Sequence, residues 1–234
     1  MKQNQLKDKK VLFFGMHNCK NSKKALDILD VSGCIVTPIL GWKRDETLPD
    51  KVFNWSGDYI FSYRCYWLIP RKVLAKAKFI AINFHPAPPS FPGSGSYCWA
   101  IYKSSKEYGV TVHMMNEEFD AGKILEVYRF PIFEGMKVTQ LIERTYEFSL
   151  DCFEKYINLI NSKSSDDILS LKKSVSKYKW LDKPKKLSDL NEMRLININM
   201  SNDEIEKRIR AFHFDDYPVC LDFHGYKFKL MHED

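Results

Sequence analysis

The sequence predicts an α/β fold, a mostly parallel sheet flanked by helices, followed by a small C-terminal helix and β-hairpin. Three observations predict it. Short apolar runs alternate with helical segments through the first half. A loop crowded with proline and glycine follows the fourth such run, at a strand end, where parallel sheets place their sites. Later, apolar residues recur at helical spacing over one long segment.

Val11–Phe14 is a short apolar run closed by Gly15, hence a strand entering a tight loop. Lys23–Leu29 has helical character, Ile35–Leu40 is a second strand, and Asp58–Ser62 a third. Pro70–Lys78 is expected to be a helix with Pro70 in its first turn. Phe79–Asn83 is β-branched and apolar, a fourth strand that ends on Asn83. Connections of this length imply crossovers and parallel pairing. His85–Gly95 holds four prolines and two glycines, which excludes helix and regular strand. Gly109–Met114 and Ile124–Arg129 are two further strands, joined by the acidic turn Asn-Glu-Glu-Phe-Asp-Ala-Gly-Lys. Leu141, Thr145, Phe148, Cys152, Tyr156 and Ile160 define one amphipathic helix over about Thr139–Ser162.

The composition shifts near Ser162, where Ser-Lys-Ser-Ser-Asp-Asp has the character of a polar linker. We therefore expect one domain over 1–165 and a C-terminal unit over 166–234. Lys172–Lys186 carries seven lysines and one acid, Asp182; it is a solvated loop or an anion-facing lip. Ser201-Asn-Asp-Glu204 is the start of a helix, Ile205–Phe212, and Val219–Met231 forms two short strands around Gly225.

With 234 residues, 44% hydrophobic and 28% charged, the chain is expected to fold, and wholesale disorder is excluded. No apolar run approaches the roughly 20 residues of a spanning helix. The apolar stretch behind Met-Lys-Gln-Asn-Gln-Leu-Lys-Asp-Lys-Lys is too short for a signal peptide, so the expected location is cytoplasmic, with no membrane partner. A net charge of +6 does not call for nucleic acid and suits an anionic small substrate. The six cysteines lack a Cys-x-x-Cys pair or a histidine cluster, so neither a metal site nor a disulfide framework is expected.

Asn83 and His85 stand one residue apart, and Asp120 lies in a turn 35 residues beyond His85. Strand positions two apart point the same way. An amide donor beside an imidazole meets the two needs of acyl transfer: a donor for the developing oxyanion and a base for the attacking group's proton. A nearby carboxylate would orient the imidazole or stabilise its charged form. Taken alone, the spacing equally allows a turn-forming Asn and a structural His.

The stretch Asn83-Phe-His85-Pro-Ala-Pro-Pro-Ser90-Phe-Pro-Gly-Ser-Gly95, with Gly109-Val-Thr-Val-His113 and Asp120-Ala-Gly122-Lys-Ile124, resembles the folate-dependent formyltransferases. The likeness covers about Val11–Phe130 and implies a Rossmann-like catalytic domain with Asn83, His85 and Asp120 as the catalytic positions. The Ser-Leu-Leu-Pro usual in the family after the His is replaced here by Ala-Pro-Pro-Ser-Phe-Pro, which is more similar to bacterial nucleotide-sugar N-formyltransferases. The resemblance implies N10-formyltetrahydrofolate as the formyl donor. Its pterin would meet main chain at Tyr66 and Leu68, ahead of Pro70, and at Asn116–Phe119, ahead of Asp120; Tyr66 and Trp67 could equally just cover the core.

The implied acceptor is a dTDP-linked 4-amino-4,6-dideoxyhexose of a surface-polysaccharide (O-antigen) pathway. His17 in the first loop, Arg64 after the third strand and Ser90 are candidate acceptor contacts, against the simpler reading of solvated loop residues. Arg208–Pro218 resembles the base-recognition part of sugar formyltransferases. Tyr217 there would stack on a base or merely pack. The C-terminal strand pair is also a candidate homodimer element. Two alternatives stand beside this one: a methionyl-tRNA or other amine formyltransferase, for which the C-terminal part is short, and a non-catalytic folate-binding protein on the same fold.

Overall fold

The structure is a computed structural model that describes residues 4–43, 46–181, 183–214 and 217–231. Asp182 of the lysine-rich run and Asp215 and Asp216 of the C-terminal segment lie outside the described residues.

Six strands form the main sheet: β1 (Lys10–Met16), β2 (Ile35–Gly41), β3 (Gly57–Tyr63), β4 (Ala77–His85), β5 (Glu107–Met114) and β6 (Ile124–Pro131). Their order is β2-β1-β3-β4-β5-β6. The first four are mutually parallel, and β5 and β6 extend the sheet antiparallel. The period of two along β1 decides which face each side chain serves. Val11 and Phe13 go to one core and Leu12 and Phe14 to the other, so the run is apolar throughout because both faces are covered.

On one face lie α1 (Lys20–Val31), α5 (Val138–Asn161) and α6 (Ser165–Lys173). Phe153 of α5 is fully buried and its ring meets Phe13, Phe61, Tyr63 and Phe84. Burying a side chain of this size is worth about 1.5–3 kcal/mol, so this stripe is what fixes α5 to the sheet. The opposite face is covered by α2 (Asp50–Asn54), α3 (Arg71–Leu74), Trp55 and Trp67. A separate core joins α4 (Ser96–Tyr102), the start of α5, α7 (Leu187–Met193) and α8 (Asn202–Phe212). There Phe212 meets Trp99 and Tyr102. A small sheet of β7 (Leu195–Ile196), β8 (Cys220–Phe223) and β9 (Tyr226–Lys229) completes the chain.

Three local expectations are corrected. The helix over Pro70–Lys78 is the single turn α3; Pro70 is its extended N-cap, and pairing with Gly57 draws Ala77 into β4. The polar stretch near Ser162 is no linker. Ser164 and Asp167 form a capping box that starts α6, and Ile168 is buried in the sheet core. The lysine-rich run is not simply a solvated loop. It crosses the proline-rich loop, with Leu181 N–H donating to Pro89 O, Lys185 N–H to Pro92 O, and Ser94 N–H to Lys185 O.

Candidate active site

β4 continues to His85, so Asn83 and His85 face the same side as Ala81, beyond the register irregularity between Ala77 and Ile80. Antiparallel pairing sets His113 of β5 opposite Asn83. The chain beyond β5 folds back through a tight turn in which Asp120 takes a left-handed backbone, φ 47°, a conformation Asp tolerates better than most residues. At Gly122 a Cβ would run into the Met114 carbonyl, so only glycine lets the turn close this tightly on β5.

Asp120 is the hub. Its Oδ1 lies 3.1 Å from His85 Nδ1 and 3.8 Å from His113 Nε2, and its Oδ2 accepts the Gly93 N–H at 2.9 Å. Only 10% of the Asp120 side chain is exposed. Burial pushes its carboxyl up, but the His85 imidazole, His113 and the Gly93 N–H outweigh that and hold it below the ordinary carboxylate range. Asp120 is therefore a carboxylate that accepts from His85.

His113 is driven the other way. Burial lowers it from 6.5 to about 4, although Asp120 pulls it up, so the ring is neutral at pH 7. Its Nδ1 is 2.9 Å from Met114 O. A carbonyl only accepts, so Nδ1 holds the hydrogen and Nε2 is the acceptor for Asn83 Nδ2, 3.0 Å away. This fixes the Asn83 amide: one N–H is committed to His113 and the second remains for a ligand. His85 faces two acceptors. Its Nδ1–H is directed to Asp120, and Nε2 lies 3.4 Å from Phe91 O, a carbonyl that bonds it only when Nε2 carries a hydrogen. A proton arriving on Nε2 therefore finds a carbonyl acceptor. An amide donor, a base and an orienting carboxylate in this arrangement can perform acyl transfer to an amine.

A cavity of about 640 Å³ opens between the first half of β4 and the segment after β5. Alanine at 77 and 81 leaves room, Leu74, Ile80, Met115 and Asn116 add to the lining, and Arg71, Glu117, Glu118 and Lys172 bring charge to it. Asn83, His85 and Asp120 are not among its lining residues, whereas Asn116, Glu117 and Glu118 of the turn ahead of Asp120 are.

The remaining sequence-predicted residues are dispersed. Asn116 lines the cavity; Tyr66, Leu68 and Phe119 are exposed beside it in sequence. Ser90 is half-buried in the turn before Phe91. His17 stacks on Trp42 at 3.7 Å, and among the described residues its buried Nδ1 has no hydrogen-bond partner. Arg64 lies over the Tyr146 ring at 3.5 Å and donates to Cys19 Sγ at 3.2 Å. Tyr217, half-exposed, lies beneath Arg194 at 4.5 Å and packs against Phe214. Sequence reasoning missed two residues. His113 stood in a recognised strand, and its pairing opposite Asn83 was the available signal. Trp180 lay inside the lysine run, with no periodicity to mark it.

Comparison with known proteins follows from this geometry. The family described as formyl transferase matches residues 40–157. GDP-perosamine N-formyltransferase of Brucella melitensis is 35% identical over 92 residues, 39% of this chain and 36% of that protein. Methionyl-tRNA formyltransferase of Buchnera aphidicola is 26% identical over 178 residues, 76% of this chain and 54% of that protein. The chain thus spans about a third to a half of the curated relatives it matches. Among solved structures, a sugar N-formyltransferase from Shewanella sp. FDAARGOS_354 has a TM-score of 0.71 at 18% identity, covering 94% of this chain and 96% of that one. The N-formyltransferase from Helicobacter canadensis, solved with folinic acid and dTDP-3-aminofucose, has a TM-score of 0.63 at 19% identity, covering 93% and 85%.

Proposed function

The chain belongs to the formyl transferase family, and from that premise we propose that it is a sugar N-formyltransferase. It moves the formyl group of N10-formyltetrahydrofolate to the primary amine of a dTDP-linked 4-amino-4,6-dideoxyhexose destined for a surface polysaccharide. The observation that carries this reading is the meeting of Asn83, His85 and Asp120 on one face, with His85 Nδ1 3.1 Å from Asp120. The family draws its formyl group from N10-formyltetrahydrofolate, which supplies an activated acyl carbon when bound. In this chain the alanine-walled cavity and the turn at Asn116–Phe119 would hold it, with Tyr66 and Leu68 at its border.

The chain's own residues divide the work. Asn83 Nδ2 offers its uncommitted N–H to the oxygen that gains charge as the acyl carbon is attacked. His85 Nε2 takes the proton from the attacking amine and returns it to the departing folate N10 as the bond between the formyl carbon and N10 breaks. Asp120 orients that ring through Nδ1 and stabilises the charge it acquires. Losing one oxyanion donor typically costs about 10²–10³ in kcat.

Support for a nucleotide-sugar acceptor is the full-length likeness to the Shewanella enzyme and the complex of the Helicobacter neighbour with a dTDP-sugar. Tyr217, half-exposed and backed by Arg194, offers a stacking face for a base, and His17 Nδ1 a polar atom without a partner among the described residues, at the carboxyl end of β1. A second copy would pair at β9, the edge strand of the small sheet, where Tyr226 and Phe228 are exposed.

The test is incubation with N10-formyltetrahydrofolate and matched dTDP- and GDP-linked 4-amino sugars, read by mass spectrometry. Addition of one formyl group to the dTDP-sugar in preference to the GDP-sugar is expected. Preference for the GDP-sugar would overturn the nucleotide assignment, and formylation of methionyl-tRNA alone would overturn the sugar.

A further inference from the structure

Trp180 is half-buried within the lysine-rich strap. Its indole lies edge-on to both imidazoles of the site, 5.2 Å from His113 and 5.9 Å from His85 by ring centroids. Its Nε1–H donates to Gly122 O at 2.7 Å, in the same turn that carries Asp120. The strap is held at both sides of the indole. Tyr178 Oη donates to Glu126 at 2.9 Å; beyond it, Lys185 pairs with Pro92 and Ser94. That pairing is so close at Gly93 that a Cβ would collide with the Lys185 backbone, and Gly93 N–H is itself the donor to Asp120. One segment outside the sheet thus touches the base, its neighbour and the hydrogen-bonding of the carboxylate.

We propose that Trp180 is a positioning residue which closes the open side of His85 and His113 and holds both rings in register with Asp120 and Asn83. The inference deepens the formyl-transfer reading and rests on it for its kinetic consequence. The physical grounds are steric. His85 is held firmly at Nδ1 by Asp120 but only by a long contact at Nε2, 3.4 Å from Phe91 O, so its ring can still tilt, and a neighbouring indole fixed by its own hydrogen bond removes that freedom at little entropic cost.

Two variants separate a cover from a mere packing residue. Trp180→Phe keeps an aromatic edge and loses the bond to Gly122; Trp180→Ala loses both. Carbethoxylation of His85, mapped by peptide mass spectrometry in the folded protein, reads ring access without turnover, so it decides this inference even if no formyl transfer is found. Trp180→Ala should raise the His85 modification rate about tenfold, as expected when local cover sets accessibility, while Trp180→Phe stays close to the wild type. In kinetics Trp180→Ala should lower kcat by about 10–10², the typical cost of a misplaced catalytic group, with the KM for the folate donor unchanged and Trp180→Phe largely restoring the rate. Equal modification of His85 in all three proteins would overturn the proposal. So would a loss confined to KM.

Discussion

Acid should destabilise this protein through His113 before it titrates the carboxylates. The ring sits in the folded chain at about 4 against an ordinary 6.5. Between those values the unfolded chain binds a proton that the folded chain refuses, so stability rises with pH through the window and is lost as pH falls from about 6.5 towards 4. At about 1.4 kcal/mol for each pH unit, the gap amounts to about 3 kcal/mol, a large share of a typical domain's 5–15 kcal/mol. His113→Gln keeps an acceptor for Asn83 and removes the titration. Urea unfolding at a series of pH values from 7 to about 4 gives the slope for each protein. The wild type should lose stability steeply across the window, and the variant should be nearly flat there, whatever its absolute cost in packing. Asp120, held below its ordinary 3.8, contributes stability above that value, lost only as pH falls further, so it leaves this window untouched. Equal slopes in the two proteins would refute the neutral, buried His113 and with it the deduced tautomer that orients Asn83.

The proposed catalytic residues separate by variant. His85→Asn should lose about 10²–10⁴ in turnover while tetrahydrofolate binding, followed by fluorescence or calorimetry, survives. Asn83→Asp places a negative charge where charge develops and should be at least as damaging to kcat as Asn83→Ala; near-normal turnover would remove the oxyanion role. Tyr217→Ala should raise KM for the sugar nucleotide with little change in kcat, since stacking of about 1–3 kcal/mol persists from ground state to transition state. An unchanged KM would leave Tyr217 as the partner of Arg194 alone.

The parallel strands were legible because burial on both faces forces unbroken apolar runs such as Val11–Phe14, and the long helix because its stripe packs on the sheet. Asn83, His85 and Asp120 were singled out through the family resemblance that their proline-rich frame carries, since the spacing alone equally allows a turn-forming Asn and a structural His. What the sequence concealed was decided at a distance. Ala77 reads as helix on its own and becomes strand because β3 offers it a partner. The Ser164–Asp167 capping box reads as a polar linker on its own because hydrophilic residues serve both. Trp180 has no local signature; only pairing of its segment with Pro89 and Pro92 carries it over the two imidazoles. Arg64, a candidate acceptor contact, lies over the Tyr146 ring that α5 brings to it, a contact with no local sequence signal.

The central claim is that one face of β4, with Asp120 behind it, passes a formyl group from folate to a sugar amine. Its most direct test supplies the donor with a ¹³C-labelled formyl carbon and follows that carbon by NMR in the presence of a dTDP-linked 4-amino-4,6-dideoxyhexose, for the wild type and for His85→Asn. The account predicts stoichiometric appearance of the label as the N-formyl carbon of the sugar, with matching release of tetrahydrofolate, and near-absence of both in the variant. Label that stays on the folate, or that is released as free formate at equal rates in the two proteins, would contradict it.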